Sequence, residues 1–426
     1  MKYLFILVFV FITFKITAQD SIRVMHYNLM YYGQTTSYCT TSNNSESAKS
    51  GYLKTIVQYV KPDILTVNEI APSSLKHQLL LDNCLNVDGI TYYKKGNLSN
   101  LSNSDLSNEL YYNSQKLALL SQHNIPTSVR DINIYKLYYK ASNLSVTHDT
   151  AFVNCIVMHL KAGSYAENAT ERATQTTTLM NYLNYLGIKD NYLLMGDFNV
   201  YSGSEACFQN LINPTNQNIK FYDPVNKVGD WNSSSTYSHY HTQSTHTTST
   251  GCFATGGLDD RFDFILISDN IKNGLDNYQY ISNTYNTIGQ DGNHLNKAVN
   301  YNTNNSAPDN VIEALWGMSD HLPVTLYMRV NQTVGINDYY KTSFTNVYFQ
   351  NPVNVNMDVT IEIPVKTELH FNVINLLGQT IYSKKIESSG TTAQCNIPVS
   401  SLNKGIYFLK ISDSNNNSIV KKFVKE

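Results

Sequence analysis

Carboxylate, amide and imidazole side chains recur in this sequence directly after short apolar runs. Asp197 and Asn199 follow one such run, in the stretch Asn-Tyr-Leu-Leu-Met-Gly-Asp-Phe-Asn. Side chains two residues apart in an extended chain point the same way, so a strand ending here presents a carboxylate and an amide together. We predict that residues 192–195 form a buried strand and that Gly196 ends it with an abrupt turn. A simple Asx turn is the alternative, because Gly-Asp-Phe-Asn also suits one.

The same residue types stand at or beside the ends of other predicted strands. These positions are Asn28, Glu69, His159, Asp263, Asp320 and His321. Carboxylate and amide oxygens without thiolates suit a hard cation such as Mg²⁺ or Mn²⁺, and such a metal neutralises charge in phosphoryl transfer. Asp197 could orient the attacking water as a base, two imidazoles could donate to the phosphate, and Asp263 could keep His321 basic. The pattern predicts a metal-dependent site for phosphoester hydrolysis.

The elements that must position these residues alternate between helices and strands, which indicates a layered α/β architecture. Strands are predicted at 20–29, 63–69, 132–139, 151–159, 192–195 and 261–267, and residues 319–326 close the unit. Helices are predicted at 52–60 and 167–186. Residues 92–125 give no clear elements, and residues 223–257 are predicted to be a long polar loop.

The two ends of the chain differ in character from this central part. Residues 1–18 have a charged start, a short apolar run and a small residue at the end, the pattern of a secretory signal peptide. Lys15 interrupts the run before the roughly 20 residues of a membrane-spanning helix, so we expect export without stable membrane insertion. With 426 residues, two domains are expected. We predict a catalytic domain at 19–330, a linker at 331–345 and a small all-β sandwich without catalysis at 346–426.

Charge and cysteine content narrow the class of protein. Lys and Arg number 31 against 33 Asp and Glu, and the acidic excess lies before residue 331. This balance argues against broad electrostatic binding of nucleic acid, although a locally basic groove is compatible with it. Six cysteines without a CxxC spacing argue against zinc. Export permits disulfides, and Cys207 with Cys252 is the pair we favour.

Residues 20–330 resemble the endonuclease/exonuclease/phosphatase superfamily, the DNase I-like fold. The motifs that carry the resemblance, in the family's order, are Asn28, Glu69, His159-Leu-Lys161, Gly196-Asp-Phe-Asn199, Arg261-Phe-Asp263 and Ser319-Asp320-His321. The resemblance implies a four-layer α/β/β/α sandwich that hydrolyses phosphoesters with Mg²⁺ or Mn²⁺, with Ca²⁺ as a further candidate. The family's usual Gln before the metal-binding Glu is Asn68 here.

The resemblance also implies a role for each matching residue. The implied metal ligands are Asn28, Glu69 and Asp320. The implied catalytic residues are His159, Asp197, Asn199, Asp263 and His321. Asp197 positions the water, Asn199 and His159 also bind the phosphate, and Asp263 pairs with His321. Arg172, on the helix after His159-Leu-Lys161, could clamp a phosphate or could be an ordinary surface residue.

The tail resembles a type IX secretion sorting domain. The resemblance is carried by Phe349-Gln-Asn-Pro352, by Val373-Ile-Asn-Leu-Leu-Gly378, by Leu402-Asn-Lys-Gly405 and by the basic end Lys421–Lys425. It implies export across the outer membrane by the type IX machinery, followed by cleavage or anchoring of the tail at the cell surface. A carbohydrate- or surface-binding β module is the alternative.

We expect the protein to be a monomer. Three functions remain open. A secreted nuclease acting on extracellular DNA or RNA is favoured, because export suits nutrient scavenging. A phosphatase or phosphodiesterase on phosphoinositide or sphingomyelin-type head groups comes second, and a non-catalytic surface module third. His239, His241 and His246 could hold a second metal, but a solvated loop is the favoured interpretation. The 32 tyrosines could stack bases or could simply be amphipathic packing residues.

Overall fold

A computed structural model describes residues 20–141, 144, 150–249, 251–330, 346–362, 366–376, 378–390, 392–414 and 418–426. The predicted signal peptide and the predicted linker at 331–345 lie outside these residues. The contacts divide the chain into two compact units, Met1–Gln332 and Thr333–Glu426, which we describe separately. Within the described residues, no helix is both long enough and apolar enough to cross a membrane.

The first unit contains two large mixed sheets. The first sheet is built from β1 (Asp20–Tyr32), β2 (Ile64–Ile70), β3 (Tyr93–Lys95), β4 (Ser107–Asn113), β11 (Tyr278–Tyr280), β12 (Asn286–Thr287) and β13 (Val324–Val330), in the order β11-β13-β1-β2-β4-β3 with β12 beside β13. The second is built from β5 (Leu117–Ile125), β6 (Ile132–Tyr139), β7 (Phe152–His159), β8 (Tyr192–Asp197), β9 (Phe221–Tyr222) and β10 (Asp263–Ser268), in the order β5-β6-β7-β8-β10-β9.

Helices cover the outer face of each sheet, except that the short helix Asp269–Asn273 contributes Ile271 to the core between the sheets. They are α1 (Glu46–Val60), α2 (Ser74–Leu80), α3 (Ala166–Leu186), α4 (Ala206–Ile212), α5 (Asp269–Asn273) and α6 (Asp309–Met318). One apolar cluster joins the first sheet to α1 and α6, and another joins the second sheet to α3 and α4. A third cluster lies between the sheets. The four-layer α/β/β/α arrangement implied by the resemblance is confirmed.

The alternation of side chains along β1 shows how one strand serves two of these cores. Ile22 and Val24 pack between the two sheets, whereas Met25 and Tyr27 pack towards the helices. Both sets are apolar because both faces of the strand are buried. The even-numbered face leads directly to Asn28, at the end of the inter-sheet core.

Residues 92–125 form three strands that the sequence pattern does not reveal. β4 is buried along its whole length although it reads Ser-Asn-Glu-Leu-Tyr-Tyr-Asn. Its polar side chains are paired: Asn108 donates to Asn133 at 2.9 Å, and Glu109 lies 2.8 Å from His77. Buried polar groups are tolerated when they are hydrogen-bonded. The residues that pair with these side chains are distant in sequence, so no local pattern could predict the pairing.

The disulfide differs from the predicted one. Cys39 pairs with Cys252, and Cys207 is a free, buried thiol. The prediction treated Cys207 as part of a loop, but it lies in α4, whose apolar side packs with Phe208 and Leu211 onto the second sheet. The bond that does form joins the loop after β1 to the long loop that precedes β10.

The second unit contains two antiparallel sheets that share one apolar core. Their strands are β14 (Asn346–Tyr348), β15 (Asn356–Glu362), β16 (Glu368–Ile374), β17 (Thr380–Glu387), β18 (Thr392–Pro398), β19 (Gly405–Asp413) and β20 (Ser418–Lys425). The orders are β14-β15-β18 and β17-β16-β19-β20. Val359 and Ile397 from one sheet pack in the same cluster as Phe371 and Leu409 from the other. The predicted all-β sandwich is confirmed.

Candidate active site

The polar residues predicted from the sequence meet at one edge of both sheets. β1 and β2 are parallel neighbours, and they carry Asn28 and Glu69 near their carboxyl ends. β7 and β8 are also parallel and end with His159 opposite Asp197. β10 runs antiparallel to β8, so its first residue, Asp263, stands opposite Asp197 as well. Within each sheet, the carboxyl ends of parallel strands lie at one edge, and the antiparallel β10 brings its amino end to that same edge.

Asn28 links the two sheets through its amide. Its Nδ2 atom donates to Glu69 Oε1 at 3.0 Å and to Asp197 Oδ2 at 2.9 Å. Its Oδ1 atom accepts from the backbone N–H of Met30 at 2.9 Å. Asn68 makes a second link, because its Oδ1 accepts from the backbone N–H of Asp197 at 2.9 Å. Glu69 and Asp197 are thus held together although they belong to different sheets.

The backbone is irregular where these side chains leave the strands. Glu69, Tyr31 and Asn199 have φ values of 57°, 54° and 50°, in the left-handed region that non-glycine residues rarely adopt. The pairing of β1 with β2 shifts register between Asn28 and Tyr32. Such strained positions and bulges re-aim side chains and are concentrated at functional sites. Here the irregular turn lets Tyr31 N–H donate to Glu69 Oε2 at 3.2 Å.

His321 lies between two carboxylates. Its Nδ1 atom is 2.7 Å from Asp263 Oδ2, and its Nε2 atom is 3.7 Å from Asp197 Oδ2. Burial opposes a charge on this imidazole, but Asp263 and Asp197 outweigh burial and raise the pKa of His321 well above its usual value. The backbone N–H of His321 donates to Ser319 Oγ, and Ser319 Oγ donates to the Asn28 carbonyl at 2.8 Å. The Ser-Asp-His turn is therefore tied to β1.

Asp320 faces the same site with one oxygen available. Its Oδ2 atom accepts from the backbone N–H of Ala254 at 2.9 Å. Its Oδ1 atom is buried and has no hydrogen-bond partner among the described residues. The charge of Asp320 contributes, after burial, to raising the pKa of Glu69. These two carboxylates are therefore near enough to repel each other.

His159 and Asn199 complete the group from the second sheet. His159 Nε2 lies 3.5 Å from Asp197 Oδ2 and 3.8 Å from Glu69 Oε1. Burial, assisted by the charge of Arg130, lowers the pKa of His159 well below its usual value. The backbone N–H of Asn199 donates to Asp197 Oδ1 at 3.0 Å, while its side chain donates to the Leu160 carbonyl at 3.3 Å. A neutral imidazole and an oriented carboxylate thus stand side by side.

The donor set fits a hard divalent cation. Glu69, His159 and Asp197 each offer one ligand atom, and these atoms lie within 4.8 Å of one another. Burial, opposed by the charge of His321 and reinforced by Asp263 and Glu69, raises the pKa of Asp197 to about 7, so a bound cation would offset the crowding of carboxylates here. Asp320 does not belong to this group of three, although its Oδ1 atom has no hydrogen-bond partner within the described part of the chain. Oxygen-rich sites of this kind favour Mg²⁺-like ions over soft metals.

Arg172 holds the loop that follows His159. Its guanidinium donates to Glu205 Oε2 at 2.7 and 3.0 Å, and to the carbonyls of Lys161 and Gly163 at 3.0 and 2.8 Å. The residue is 1% exposed, so the surface alternative is wrong. Glu205 in turn accepts from the Tyr201 N–H at 2.8 Å, which connects the loops after β7 and β8. A phosphate-clamping role stays a prediction, whereas all four bonds serve to position these loops.

Gly196 is required for a reason other than the predicted turn. β8 continues through Gly196 to Asp197, so the strand does not stop there. A Cβ atom at this position would lie 1.9 Å from the carbonyl oxygen of Met158 on β7. Only a residue without a side chain permits this close approach of two backbones. Gly196 thus sets the spacing of the strands that carry His159 and Asp197.

The histidines of the long loop are not solvated as predicted. His241 and His246 are buried, and only His239 is exposed. His241 Nε2 lies 2.8 Å from the Trp231 carbonyl, and His246 Nδ1 lies 2.7 Å from Thr245 Oγ1. The segment 241–245 packs beside His321, because the Leu322 N–H donates to the Thr242 carbonyl at 2.7 Å. Tertiary contacts bury a segment whose composition is that of a loop.

Three residues of the site were missed by the sequence analysis. His26 lies two residues before Asn28 on the same face of β1, with its Nε2 3.7 Å from Asp263 Oδ1, and strand alternation could have revealed it. Arg130 donates to the Leu160 carbonyl at 3.4 Å, and its charge opposes the rise in the pKa of Glu69 and adds to the effect of burial in lowering the pKa of His159. Gln243 lies 2.7 Å from His321 Nε2. Neither Arg130 nor Gln243 belongs to a periodic pattern.

Comparison of the fold with solved structures gives similar proteins at low sequence identity. An endonuclease/exonuclease/phosphatase from Bacteroides vulgatus is 12% identical with a TM-score of 0.46, over 73% of this chain and 100% of that chain. The human Nocturnin catalytic domain with bound sulfate is 14% identical with a TM-score of 0.41, over 74% and 98%. D. rerio TDP2 in complex with a single strand DNA product is 13% identical with a TM-score of 0.44, over 74% and 100%. No match is found among curated proteins.

Two family models match the sequence, and both predicted resemblances are confirmed. The model described as Secretion system C-terminal sorting domain matches residues 348–426, which indicates export. The model described as Endonuclease/Exonuclease/phosphatase family matches residues 27–274, more than half of the chain. Its members are phosphoester hydrolases in general, and the buried cluster described above is what such chemistry requires. The chain belongs to the endonuclease/exonuclease/phosphatase family.

Proposed function

We propose that this protein is an exported, divalent-metal-dependent phosphoesterase that hydrolyses phosphodiester bonds of extracellular DNA or RNA. The observation that carries the proposal is a single buried cluster that joins Glu69 and Asp197, from two sheets, to the His321–Asp263 pair. The cluster combines metal-binding carboxylates with an imidazole whose Nε2 faces the carboxylates and whose Nδ1 is held by a carboxylate. Phosphoryl transfer needs these two components side by side.

The proposed metal site uses Glu69 as its main ligand, with Asp320 and Asn28 beside it. Mg²⁺ or Mn²⁺ is the proposed ion, with Ca²⁺ as a further candidate. When bound, the ion supplies charge neutralisation at a phosphate oxygen. Asp320 Oδ1 has no hydrogen-bond partner among the residues that the structure describes, whereas Asn28 Oδ1 also accepts from Met30 N–H, so Asn28 would share its oxygen.

The remaining residues bind the phosphate and orient the water. Asp197 accepts a hydrogen bond from the attacking water and so orients it. Asn28 and the Asn199 N–H hold the carboxylate of Asp197 in place. His321, charged through its bond to Asp263, donates from Nε2 to a phosphate oxygen. Asn199 and His159 bind the same phosphate from the second sheet. Arg130 adds a positive charge close enough to act on Glu69 and His159.

A pair of tyrosines favours nucleic acid as the substrate. Tyr31 donates its backbone N–H to Glu69 and its ring meets Tyr38 edge to face, with centroids 5.9 Å apart. Tyr38 is 48% exposed and Tyr31 is half-buried. Aromatic rings next to a phosphate site can stack successive bases, and stacking contributes about 1–3 kcal/mol per base. Export by the type IX machinery, through the sorting domain, would bring the enzyme to extracellular nucleic acid.

The test is an activity assay on the full chain with Mg²⁺, Mn²⁺ or EDTA. The substrates are supercoiled plasmid DNA, RNA, and vesicles that contain phosphoinositide or sphingomyelin. We expect metal-dependent cleavage of nucleic acid that His321→Ala slows by about 10²- to 10⁴-fold. His370→Ala is the matched control, because His370 pairs with Glu368 in the second unit. Phosphate release from lipid alone would favour the head-group alternative, and inactivity on every substrate would favour a non-catalytic module.

A further inference from the structure

Gln243 covers the ring nitrogen of His321 that faces the site. The Nε2 atoms of Gln243 and His321 are 2.7 Å apart. His321 Nδ1 is already bonded to Asp263, so Nε2 is the atom through which this imidazole reaches a substrate. An amide carries both donors and an acceptor, and it can therefore bond Nε2 in either ring form. A phosphate that binds His321 must take the place of this amide.

The position of the amide relative to Asp197 makes this replacement specific. His321 Nε2 lies 3.7 Å from Asp197 Oδ2 as well as 2.7 Å from Gln243. In the proposed function, Asp197 holds the attacking water, so the phosphate must approach Nε2 from another side. Of the two groups, the amide of Gln243 is the nearer to Nε2 and carries no charge, so it is the one that a phosphate displaces.

The backbone of Gln243 is fixed, whereas its side chain is half-buried. Its N–H donates to the Asp260 carbonyl at 3.1 Å, and its carbonyl accepts from the N–H groups of Asp259 and Asp260 at 2.8 and 3.0 Å. Gln243 also forms a bridge pair with His321 itself. Rotation about the side-chain torsions can therefore move the amide off the imidazole while its Cα stays beside the site.

We propose that Gln243 is a ligand of the substrate phosphate, held on His321 until the substrate arrives. The phosphate takes the place of the amide at the Nε2–H group of His321, and the displaced side chain turns so that its NH₂ group donates to a phosphate oxygen. No covalent bond forms or breaks in this exchange. The inference rests on the proposed function, because it requires a phosphoester or its phosphate product at the site.

Three variants of the full chain separate this role from a positioning role. In Gln243→Ala the phosphate loses one charged hydrogen bond, so kcat/KM should fall about 10- to 100-fold. In Gln243→Glu the carboxylate can still bond His321 but repels the phosphate, so kcat/KM should fall below that of the alanine variant. Gln122→Ala is the matched control. Gln122 lies on β5, and its amide donates to the Asn97 carbonyl rather than to a residue of the site. Its activity should equal that of the unaltered chain.

The ranking of the variants decides between the roles. Activity in the order Gln, Ala, Glu supports a phosphate ligand. If glutamate restores activity above alanine, Gln243 only positions His321, and the proposal is wrong. Equal activity of Gln243→Ala and Gln122→Ala would also overturn it.

Phosphate binding tests the inference independently of turnover. Inorganic phosphate is titrated into the full chain with Mg²⁺, and the His321 ring nitrogens are followed by NMR. We expect phosphate to shift the Nε2 signal and to bind about 10- to 100-fold more weakly to Gln243→Ala. Absence of binding, or equal binding to both proteins, would overturn the role of Gln243. Inactivity towards every phosphoester, with phosphate still bound in this way, would instead contradict the proposed function.

Discussion

At the scale of single residues, the chemistry of the site depends on His321, because its two ring nitrogens have different neighbours and different tasks. His321 bonds Asp263 on one side and faces Asp197 and Gln243 on the other. We expect His321→Ala to lower kcat by about 10²- to 10⁴-fold, because a charged donor to the phosphate is lost. The domain should still fold, but the midpoint of thermal unfolding should fall, since the buried carboxylate of Asp263 loses its charged partner. Steady-state kinetics and a thermal scan check both; near-normal activity would sink the role assigned to His321.

Arg130 provides a second test at the residue scale. Its charge acts on Glu69 and His159, and its Nε atom is buried without a partner among the described residues. We expect Arg130→Gln to lower kcat/KM about 10- to 100-fold through loss of a charged contact to the phosphate. Arg329→Gln, on β13, is the control. If both variants lose activity equally, the effect of Arg130 is not specific to the site.

At the scale of elements, Gly196 sets the distance between β7 and β8. A methyl group at this position meets the Met158 carbonyl at 1.9 Å, so Gly196→Ala should destabilise the protein by about 1–3 kcal/mol or more. Gly51, in α1, has nothing within 4 Å of its added Cβ. Gly51→Ala should therefore stabilise by roughly 0.5–1 kcal/mol. Urea unfolding measures both, and equal effects would contradict the assigned role of Gly196.

The disulfide connects two loops that contact the site and are far apart in the sequence. Cys39 and Cys252 pack with Met30, whose N–H bonds Asn28, and Ala254, two residues after Cys252, bonds Asp320. Removing the bond should weaken divalent-metal binding and cost about 2–5 kcal/mol of stability, since it closes a separation of 213 residues. Calorimetric titration of the full chain before and after a dithiol reductant tests this. The Cys39→Ser, Cys252→Ser double variant should bind metal weakly with or without reductant; tight binding by the variant would contradict the prediction.

The elements also show what a sequence pattern can and cannot reveal. Strands such as β7 and β8 were predictable because they are mostly apolar and end at polar residues. β4 was not, because its buried polar residues find partners such as Asn133 and His77 that only the fold brings near. The sequence analysis did not identify Gln243 for the same reason. Its position depends on Asp259, Asp260 and His321, and it belongs to no periodic pattern. The roles of the site residues themselves stay predictions.

At the scale of the whole molecule, each unit has its own apolar core. Deleting residues 346–426 should therefore leave phosphoesterase activity unchanged and prevent export across the outer membrane. Cell fractionation and an activity assay of the truncated and full chains check the two parts. Loss of activity in the purified truncated chain would mean that the tail supports the catalytic unit. Normal export without the tail would contradict its role in sorting.

Because Glu69 and Asp197 lie on different sheets, this protein should lose activity before it unfolds when urea is added. Their alignment depends on Asn28 and Asn68, which reach across from one sheet to the other. A slight slip of one sheet over the other would separate them while both sheets stayed folded, because most of the stability lies in the apolar layers. Catalysis should accordingly disappear at a lower urea concentration than the loss of secondary structure. Enzyme activity would therefore report displacements of the two sheets that are too small to change the secondary-structure signal.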